Sequence, residues 1–358
     1  MAADDAAETR EAGPAAAIRA EIAAAGPIGF DRFMELALYG PGGYYERPPV
    51  GAEGDFVTSP HVHPVFGTFV ARALEPLRAA LAPDADLRLT EVGAGDGTLA
   101  RQIVETMPAV AYSAVEVSAG ARAALDAIDE IEVAGELRPP VDVVLAHELL
   151  DNLPFRLVRD SAEVTVDVGA AGFVERSRPL DDELRELIAA RPTDDDLVVP
   201  TGALAFIDRI ATVLERGYAL LIDYGGDAGG PVHGYARHQP IEDVLATPGA
   251  VDVTAGVDFG WISQHARARG LQAFPLVDQY DVLLALGFES WLRDERATQQ
   301  EQLTRGAGID AVRTWSMRSR ATMLVDPGGL GRMRWLLLAT DGLPRPAWLA
   351  ETADRRTD

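Results

Sequence analysis

Three glycines at alternating positions, Gly93, Gly95 and Gly97, follow the predicted strand 87–92. Glycine at the end of a strand lets the backbone turn sharply and lie against a ligand, because no Cβ stands in the way. The dinucleotide fingerprint places its third glycine one residue further along, where this chain has Thr98. The spacing therefore favours S-adenosylmethionine (SAM) over NAD, and a plain strand–turn–helix connection is the alternative interpretation.

An acid, Glu116, stands at the end of the next predicted strand. In doubly wound nucleoside-binding folds, a carboxylate at this place accepts hydrogen bonds from the two ribose hydroxyls. The alternative is an exposed strand-end carboxylate without a ligand. After the third strand, Glu136 and Leu137 are expected to flank the adenine, and Ala94 lies within the glycine loop. These residues and the three glycines form the predicted cofactor-binding set.

Polar residues follow the fourth and fifth predicted strands. His147, Glu148 and Asp151 come directly after the fourth strand, and Asp223 and Tyr224 end the fifth. The carboxyl ends of strands one and four flank the ligand crevice in such sheets. Two carboxylates and an imidazole there suit a cationic or proton-losing substrate, whereas capping of a turn is the alternative role.

The remaining histidines carry weaker signals. His61 and His63 have a spacing found in metal sites, but no third ligand lies nearby and prolines flank the pair, so we predict no metal. His233 and His238 could be ordinary loop residues. The chain contains no cysteine, which excludes disulfides, thiolate zinc sites and cysteine nucleophiles.

Strands and helices alternate from residue 87 onward. Near-continuous apolar strands such as 141–146 are buried on both faces and are typical of parallel sheets. The predicted fold is therefore α/β, a doubly wound and mostly parallel sheet of the Rossmann-like kind. Helical periodicity predicts helices at 65–81, 261–270 and 281–293, among others. The predicted strands are 87–92, 111–117, 131–133, 141–146 and 218–223, with late strands at 322–325 and 334–339, one of them antiparallel.

Two segments do not fit this alternation and are expected to be insertions. Residues 155–176 alternate polar and apolar side chains and predict an antiparallel hairpin. Residues 225–260 have little periodicity and are too long for a plain connection, which favours a lid or substrate segment. The predicted organisation is a disordered tail at 1–14, a helical and loop extension at 15–85, and a core at 86–358 with insertions at about 155–200 and 225–260.

The 358-residue chain has a net charge of −24, and all 32 of its basic residues are arginine. This balance argues against nucleic acid and anionic membranes as partners, although acidity also simply favours solubility. No apolar run approaches the ~20 residues that a membrane span needs. The first residues are too acidic for a mitochondrial transit peptide and lack the features of a secretion signal, so we predict a cytoplasmic location. The oligomeric state stays open.

Many ordered segments resemble the MidA-type methyltransferases, a family that includes a mitochondrial protein arginine methyltransferase. The resemblance covers residues 33–339 approximately, which is nearly the whole chain. The segments that carry it are Gly54-Asp55-Phe56-Val57-Thr58-Ser59-Pro60, Glu91-Val92-Gly93-Ala94-Gly95-Asp96-Gly97, Val115-Glu116-Val117-Ser118, Glu148-Leu149-Leu150-Asp151-Asn152-Leu153-Pro154, Ile222-Asp223-Tyr224-Gly225, Gly234-Tyr235-Ala236-Arg237-His238, Asp252-Val253-Thr254-Ala255-Gly256-Val257-Asp258-Phe259 and Met323-Leu324-Val325-Asp326-Pro327.

The resemblance implies a class I SAM-dependent methyltransferase that acts on an arginine side chain of a partner protein. Glu148 and Asp151 would hold the guanidinium, and Asp223 and Tyr224 would orient these groups. The segment 54–60, with Thr58 and Ser59, would close over cofactor or substrate. Five positions depart from the family pattern: Ala94 and Asp96 replace proline and arginine in the glycine loop, and His61 stands where the family has an acid. His147 and Leu149 replace other residues around the acidic turn.

Two other functions compete with arginine methylation. A methyltransferase for the oxygen or nitrogen of a small molecule would use a general base such as His147 or His238. A non-catalytic assembly factor could keep the fold, but the intact glycines and Glu116 argue against lost cofactor binding. An oxidoreductase is disfavoured by Thr98.

Overall fold

The part of the chain described in the computed structural model comprises residues 13–46, 58–189, 191, 196–236 and 239–355. Predictions for residues 1–12, for Gly54–Val57 and for His238 lie outside this part. Among the described helices, none combines the length and apolarity that a membrane span requires.

The strands are numbered here in chain order. They are β1 (Ile28–Gly29), β2 (Leu87–Val92), β3 (Val110–Val115), β4 (Ile131–Ala134), β5 (Val143–His147), β6 (Arg156–Arg159), β7 (Ala162–Gly169), β8 (Gly172–Pro179), β9 (Leu197–Val199), β10 (Tyr218–Asp223), β11 (Gly225–Gly226), β12 (Val232–Ala236), β13 (Gln239–Ile241), β14 (Asp252–Ala255), β15 (Val257–Asp258), β16 (Gln272–Ala273), β17 (Val277–Asp278) and β18 (Arg334–Ala339).

The α-helices follow the same convention. They are α1 (Pro14–Ala25), α2 (Phe30–Met34), α3 (Ser59–Val62), α4 (Val65–Leu81), α5 (Thr98–Thr106), α6 (Ala119–Leu125), α7 (Asp182–Ile188), α8 (Thr201–Val213), α9 (Phe259–Ala268), α10 (Gln279–Ala285), α11 (Phe288–Thr304), α12 (Gly308–Ala321) and α13 (Ala347–Arg355). A π-helical turn (Glu35–Tyr39) and 3₁₀ turns (Tyr44–Glu46, Leu150–Asn152, Thr322–Val325 and Leu330–Arg332) complete the regular structure.

The main sheet runs in the order β16–β18–β10–β5–β2–β3–β4, and β17 also pairs with β18. Strands β10, β5, β2, β3 and β4 are parallel, whereas β18 is antiparallel to β10. Alternate residues of β5 enter two different cores: Val143 and Leu145 face one, and Val144 and Ala146 the other. The predicted doubly wound, mostly parallel sheet is confirmed.

Helices cover both faces of this sheet. On one face α4 and α5 contribute Phe66, Phe69 and Ile103 to the core. On the other face α8 and α9 contribute Ile207 and Ile262. Parallel strands need such cover on both sides, which explains their near-continuous apolar sequence.

A second, antiparallel sheet pairs β1, β7, β6 and β9 in that order, with β8 on β7. The predicted hairpin over 155–176 therefore belongs to a larger sheet that also takes in β1 from the N-terminal extension. Phe30 and Phe33 of α2 pack in one core with Phe155 and Leu157. The extension and the first insertion bury each other's apolar side chains.

Two local predictions are wrong. Residues 322–325 form a 3₁₀ turn rather than a strand, because they continue directly from α12 and end before Pro327. The helix predicted at 281–293 is divided into α10 and α11 at Gly287, whose φ of +96° is left-handed and cannot continue a helix.

The second insertion forms a small sheet in the order β13–β12–β14, and β11 pairs with β15 beside it. Its strands are short, and β13 is largely exposed, so neither helical nor strand periodicity marks the sequence. This sheet contributes a wall of the cavity described next.

Candidate active site

A cavity of about 780 Å³ lies at the carboxyl ends of β2, β3 and β5. It is lined by the glycine loop from Gly93 to Asp96 and by Glu148 and Asp151 of the turn after β5. This volume falls within the range of small-molecule and cofactor sites. The fold thus brings the predicted cofactor loop and the predicted acids to one cavity.

The three loop glycines all have left-handed φ angles, +75° at Gly93, +55° at Gly95 and +77° at Gly97. A Cβ at Gly93 would lie 2.9 Å from Leu149, and one at Gly97 would lie 2.8 Å from Leu125 and Ile128. A Cβ at Gly95 would meet no atom within 4 Å. Gly93 and Gly97 therefore permit close packing within the protein, whereas Gly95 leaves room on the cavity side.

Glu116 lines the cavity beside this loop. Its Oε2 accepts a hydrogen bond from the backbone N–H of Gly95 at 2.9 Å, and its Oε1 accepts one from Ser118 at 2.8 Å. A carboxylate has about four lone-pair sites. Glu116 is thus fixed by the backbone and still has acceptor capacity for ligand hydroxyls. The adjacent Val117, 67% exposed, adds an apolar surface to the cavity that sequence analysis missed.

Glu136 and Leu137 are not brought into the cavity. Leu137 is buried in the core under α8, and its carbonyl accepts hydrogen bonds from Arg209. The side chain of Glu136 is 70% exposed. Hydrogen bonds from Arg209 hold the carbonyl of Leu137 against α8, so the turn after β4 contributes no side chain to the cavity lining; that both residues flank the adenine stays a prediction.

The helix α3 is tied to the glycine loop by His61. Its Nδ1 lies 2.8 Å from Thr58 Oγ1 and its Nε2 lies 3.0 Å from Asp96 Oδ2. Asp96 Oδ1 also accepts a hydrogen bond from the backbone of Thr98 at 3.0 Å. Burial opposes ionisation of Asp96, but the bonds from His61 and Thr98 lower its pKa to about 2. Two departures from the family pattern, at 61 and 96, are therefore one interacting pair.

Ser59 does not line the cavity, unlike Thr58. Its side chain is fully buried, where Oγ donates to Met333 Sδ and accepts from Gln279 at 3.3 Å. His63 points away from His61: its Nδ1 accepts from the backbone of Val65, and its ring meets the edge of Trp291.

Glu148 occupies a strained position, with a φ of +52° that non-glycine residues rarely adopt. Burial, together with the nearby Asp151, raises its pKa to about 8 against the opposing effect of a backbone hydrogen bond from Ser59. Its Oε1 lies 3.3 Å from His147 Nε2, but neither atom makes a hydrogen bond with a described residue. Burial lowers the pKa of His147 to about 3, so its imidazole is neutral.

The second acid, Asp151, accepts a hydrogen bond from Thr254 Oγ1 at 2.9 Å through Oδ2. Its Oδ1 is buried without a hydrogen bond to a described residue. Burial raises the pKa of Asp151 to about 6, although the bond from Thr254 opposes the shift. Glu148 Oε1 and Asp151 Oδ1 are thus both buried without a hydrogen-bond donor among the described residues.

Asp223 is fully buried and does not line the cavity, whereas Tyr224 does. Asp223 Oδ2 accepts from the backbone of Leu149 at 3.0 Å and of Leu150 at 2.7 Å. Burial and the neighbouring Asp151 raise the pKa of Asp223 well above its usual range. The structure gives Asp223 the position of a brace for the acidic turn, not of a group that touches ligands.

Asp252 also lines the cavity, and sequence analysis missed it. Its Oδ1 accepts hydrogen bonds from Tyr45 and from Asn152, each at 3.0 Å. Burial raises the pKa of Asp252 to about 7, and Asp151 adds to the shift. The rings of Tyr39 and Tyr45 stack with their centroids 5.5 Å apart in the same wall. The only sequence signal was that Asp252 begins one of the family-like segments.

The small sheet supplies the rest of this wall through His233, Tyr235 and Thr254. No described residue that lines the cavity is an arginine, although the chain has 32. The acidic half of the cavity therefore has no fixed cation to neutralise its carboxyl groups.

Residues 69–277 match a family model described as "Putative S-adenosyl-L-methionine-dependent methyltransferase". The chain belongs to this family. SAM is therefore the cofactor of this methyltransferase, as the glycine spacing predicted. A crystal structure described as a "likely methyl transferase" from Burkholderia thailandensis, bound to S-adenosyl-homocysteine (SAH), has a TM-score of 0.83 and 28% identity, and the similarity covers 96% of each chain.

Curated relatives agree with this assignment. The "Protein arginine methyltransferase NDUFAF7 homolog, mitochondrial" of Drosophila melanogaster is 29% identical, and the match covers 71% of this methyltransferase and 70% of the relative. The human "Protein arginine methyltransferase NDUFAF7, mitochondrial" is 27% identical, with 76% and 73% covered. The expected cytoplasmic location is contradicted by this comparison, because these relatives are named as mitochondrial.

Replacement of Gly95 by valine in the methyltransferase should weaken SAH binding at least ~100-fold, because the new side chain enters the cavity. Calorimetric titration measures the affinity. Gly270→Val is the matched control: Gly270 also has a left-handed φ, +84°, and open space around its Cβ, but it lies outside the cavity. Equal losses in the two variants would assign the effect to backbone strain alone.

His61→Asp should weaken SAH binding about tenfold, because it sets a carboxylate against Asp96 and loosens the glycine loop. The exchange variant His61→Asp with Asp96→His restores opposite partners and should recover most of the affinity. His265→Asp, which repels Asp208 on the surface, is the control and should leave SAH binding unchanged. An exchange variant as weak as the single one would contradict this role of the pair.

Proposed function

We propose that this enzyme transfers the methyl group of SAM to a guanidinium nitrogen of an arginine in a partner protein. The observation that carries the proposal is the pair of buried carboxyl oxygens, Glu148 Oε1 and Asp151 Oδ1, that have no hydrogen-bond donor among the described residues. The names of the curated relatives support the same substrate class.

Buried acceptors without donors are costly, so a ligand that supplies donors is stabilised there. A guanidinium offers five N–H donors in a planar arrangement that matches two carboxylates. It also supplies the positive charge that this half of the cavity lacks. The exposed face of Tyr224 adds an aromatic surface suited to a cation.

For the cofactor, the open space at Gly95 and the free acceptor capacity of Glu116 support binding of the nucleoside part of SAM. Val117 offers an apolar surface next to Glu116, in place of Glu136 and Leu137. Thr58, Gly93 and Ala94 complete the proposed cofactor side, and Gly97 shapes the loop from behind.

Bound SAM supplies an electrophilic sulfonium methyl group. The chain's own contribution is to position the acceptor and to localise its charge. Glu148 and Asp151 would hold two of the guanidinium nitrogens and draw the positive charge toward them, so that the electron pair of the nitrogen to be methylated is available and can point at the methyl carbon. As the new N–C bond forms and the C–S bond breaks, the nitrogen loses a proton. Glu148 can accept it, because its pKa of about 8 is matched to neutral pH.

Asp223 acts as a positioning residue in this proposal. It holds the backbone of Leu149 and Leu150 and thereby the turn that carries both catalytic acids. The strain at Glu148 persists because this brace and β5 determine the turn from both sides.

Glu148→Gln keeps the shape of the side chain and removes its charge. We expect kcat/KM for an arginine-containing protein substrate to fall at least ~100-fold, while SAH affinity stays within about twofold. Glu132→Gln, an exposed residue of β4, serves as the control. A Glu148→Gln enzyme with an undiminished rate would remove this residue from the mechanism.

The rate should rise with pH between about 6 and 8. Asp151, Asp252 and Glu148 have pKa values raised to about 6, 7 and 8, so they are neutral at low pH and ionise across this window. The arginine substrate stays cationic throughout. A pH profile of kcat/KM checks this, and the upper part of the rise should disappear in Glu148→Gln. A rate that falls over the same window would contradict the proposal.

Incubation of the enzyme with labelled SAM and cell lysate identifies the acceptor. We expect label in methylarginine after acid hydrolysis of the protein fraction. Label found instead in a small oxygen-methylated molecule would overturn the arginine proposal and favour a small-molecule methyltransferase. Tight SAH binding without transfer to any fraction would favour a non-catalytic assembly factor.

A further inference from the structure

The helical hairpin of α11 and α12 is the least buried long element of the described chain. Of its residues, only Phe288 in α11 and Ala311 and Ala321 in α12 are buried. More than half of the exposed large apolar side chains of the described residues lie between Leu303 and Met323. Contiguous exposed apolar surface on a soluble protein marks an interaction site.

One face of α12 carries no charge. At about 100° per residue, an arc of about 120° contains only apolar, small or hydroxyl side chains. Ile309, Val312 and Trp315 within it are 80%, 65% and 53% exposed. The residues of this uncharged face are Gly308, Ile309, Val312, Trp315, Ser316 and Ser319. A stripe of this width on a helix is typical of a face that packs against a core.

The hairpin's own contacts leave this face free. α11 lies on another side of α12, where Thr314 donates to Gln302 Oε1 at 3.0 Å and Arg318 donates to Gln299 Oε1 at 2.6 Å. By the same periodicity Arg313, whose side chain is 74% exposed, lies along the opposite edge of the uncharged face. The face is thus bordered by α11 on one side and by an arginine on the other.

We propose that the uncharged face of α12 packs against the same face of a second copy of this chain. A two-fold interface needs a surface that complements itself. The two helices of the hairpin have opposite net charges, so the hairpin can complement a second copy of itself. α12 has three arginines and one acid, whereas α11 has four acids and two arginines. A two-fold axis along α12 brings α11 of each copy toward the Arg313 edge of the other, which pairs opposite charges.

The net charge of −24 restricts where two copies can meet, because acidic surfaces repel each other. An uncharged face on a helix of net positive charge avoids this repulsion. The interface does not depend on the acceptor proposed above, since it lies on α12 and none of its residues lines the cavity.

Sedimentation velocity of the full chain tests the proposal. We expect a dimer at about 100 μM that dissociates on dilution. Ile309→Arg and Trp315→Arg should each raise the dimer dissociation constant at least ~30-fold. Val168→Arg is the control, because Val168 is also an exposed apolar residue but lies on β7, and it should leave the dimer intact. SAH binding and the melting temperature, measured in each variant, verify that it is folded.

Arg313→Glu separates this arrangement from nonspecific apolar association. It should weaken the dimer about tenfold, because the reversed charge then faces the acidic α11 of the other copy. A wild-type chain that is monomeric at about 100 μM overturns the proposal. Dimers that persist in both Ile309→Arg and Trp315→Arg would also overturn it. The same holds if the uncharged face binds a different protein while the chain stays monomeric.

Discussion

The buried proximity of several carboxyl groups is the constraint around which this structure is organised. Ionised acids repel each other in an environment that water does not screen, so their burial persists only where the fold compensates for it. Here the compensation comes from backbone donors to Asp223, from Thr254 to Asp151, and from Tyr45 and Asn152 to Asp252. Two carboxyl oxygens, one on Glu148 and one on Asp151, are left without a donor among the described residues, and both residues line the cavity. Perturbed acids in a cleft are a common mark of a functional site.

The short helix α3 connects the two halves of this cavity. Through His61 it contacts Asp96 at the centre of the glycine loop, and through the backbone of Ser59 it contacts Glu148. Ser59 and Pro60 are in turn fixed by Gln279 and Gln102. The position of the acid and the shape of the cofactor loop therefore depend on one turn of helix.

Sequence patterns predicted the parts of the fold that depend on local rules. The strand 218–223 and the helix 65–81 have the predicted bounds, because continuous apolar sequence and helical periodicity are strong signals. The glycine loop and the acidic turn also follow from local spacing. Local spacing does not predict the direction of a side chain. Ser59 and Leu137 lie at the expected places along the chain, but their side chains are buried in the interior.

The acidic wall shows the other limit of sequence analysis. Tyr39, Tyr45 and Asp252 meet through tertiary contacts, and no periodicity relates them. The pairing of β1 with β7 likewise joins segments that looked independent. That the N-terminal extension, the turn after β5 and the small sheet line one cavity is visible only in the structure.

The hydrogen bond between Tyr45 and Asp252 spans 207 positions along the chain. Contacts of such long range form late in folding, since the entropy of closing the intervening loop must first be overcome. During synthesis on the ribosome, the acidic wall that contains Asp252 cannot exist until β14 has emerged. β18, the antiparallel neighbour of β10, comes later still. A nascent chain therefore has its glycine loop long before it has all the segments that line the cavity.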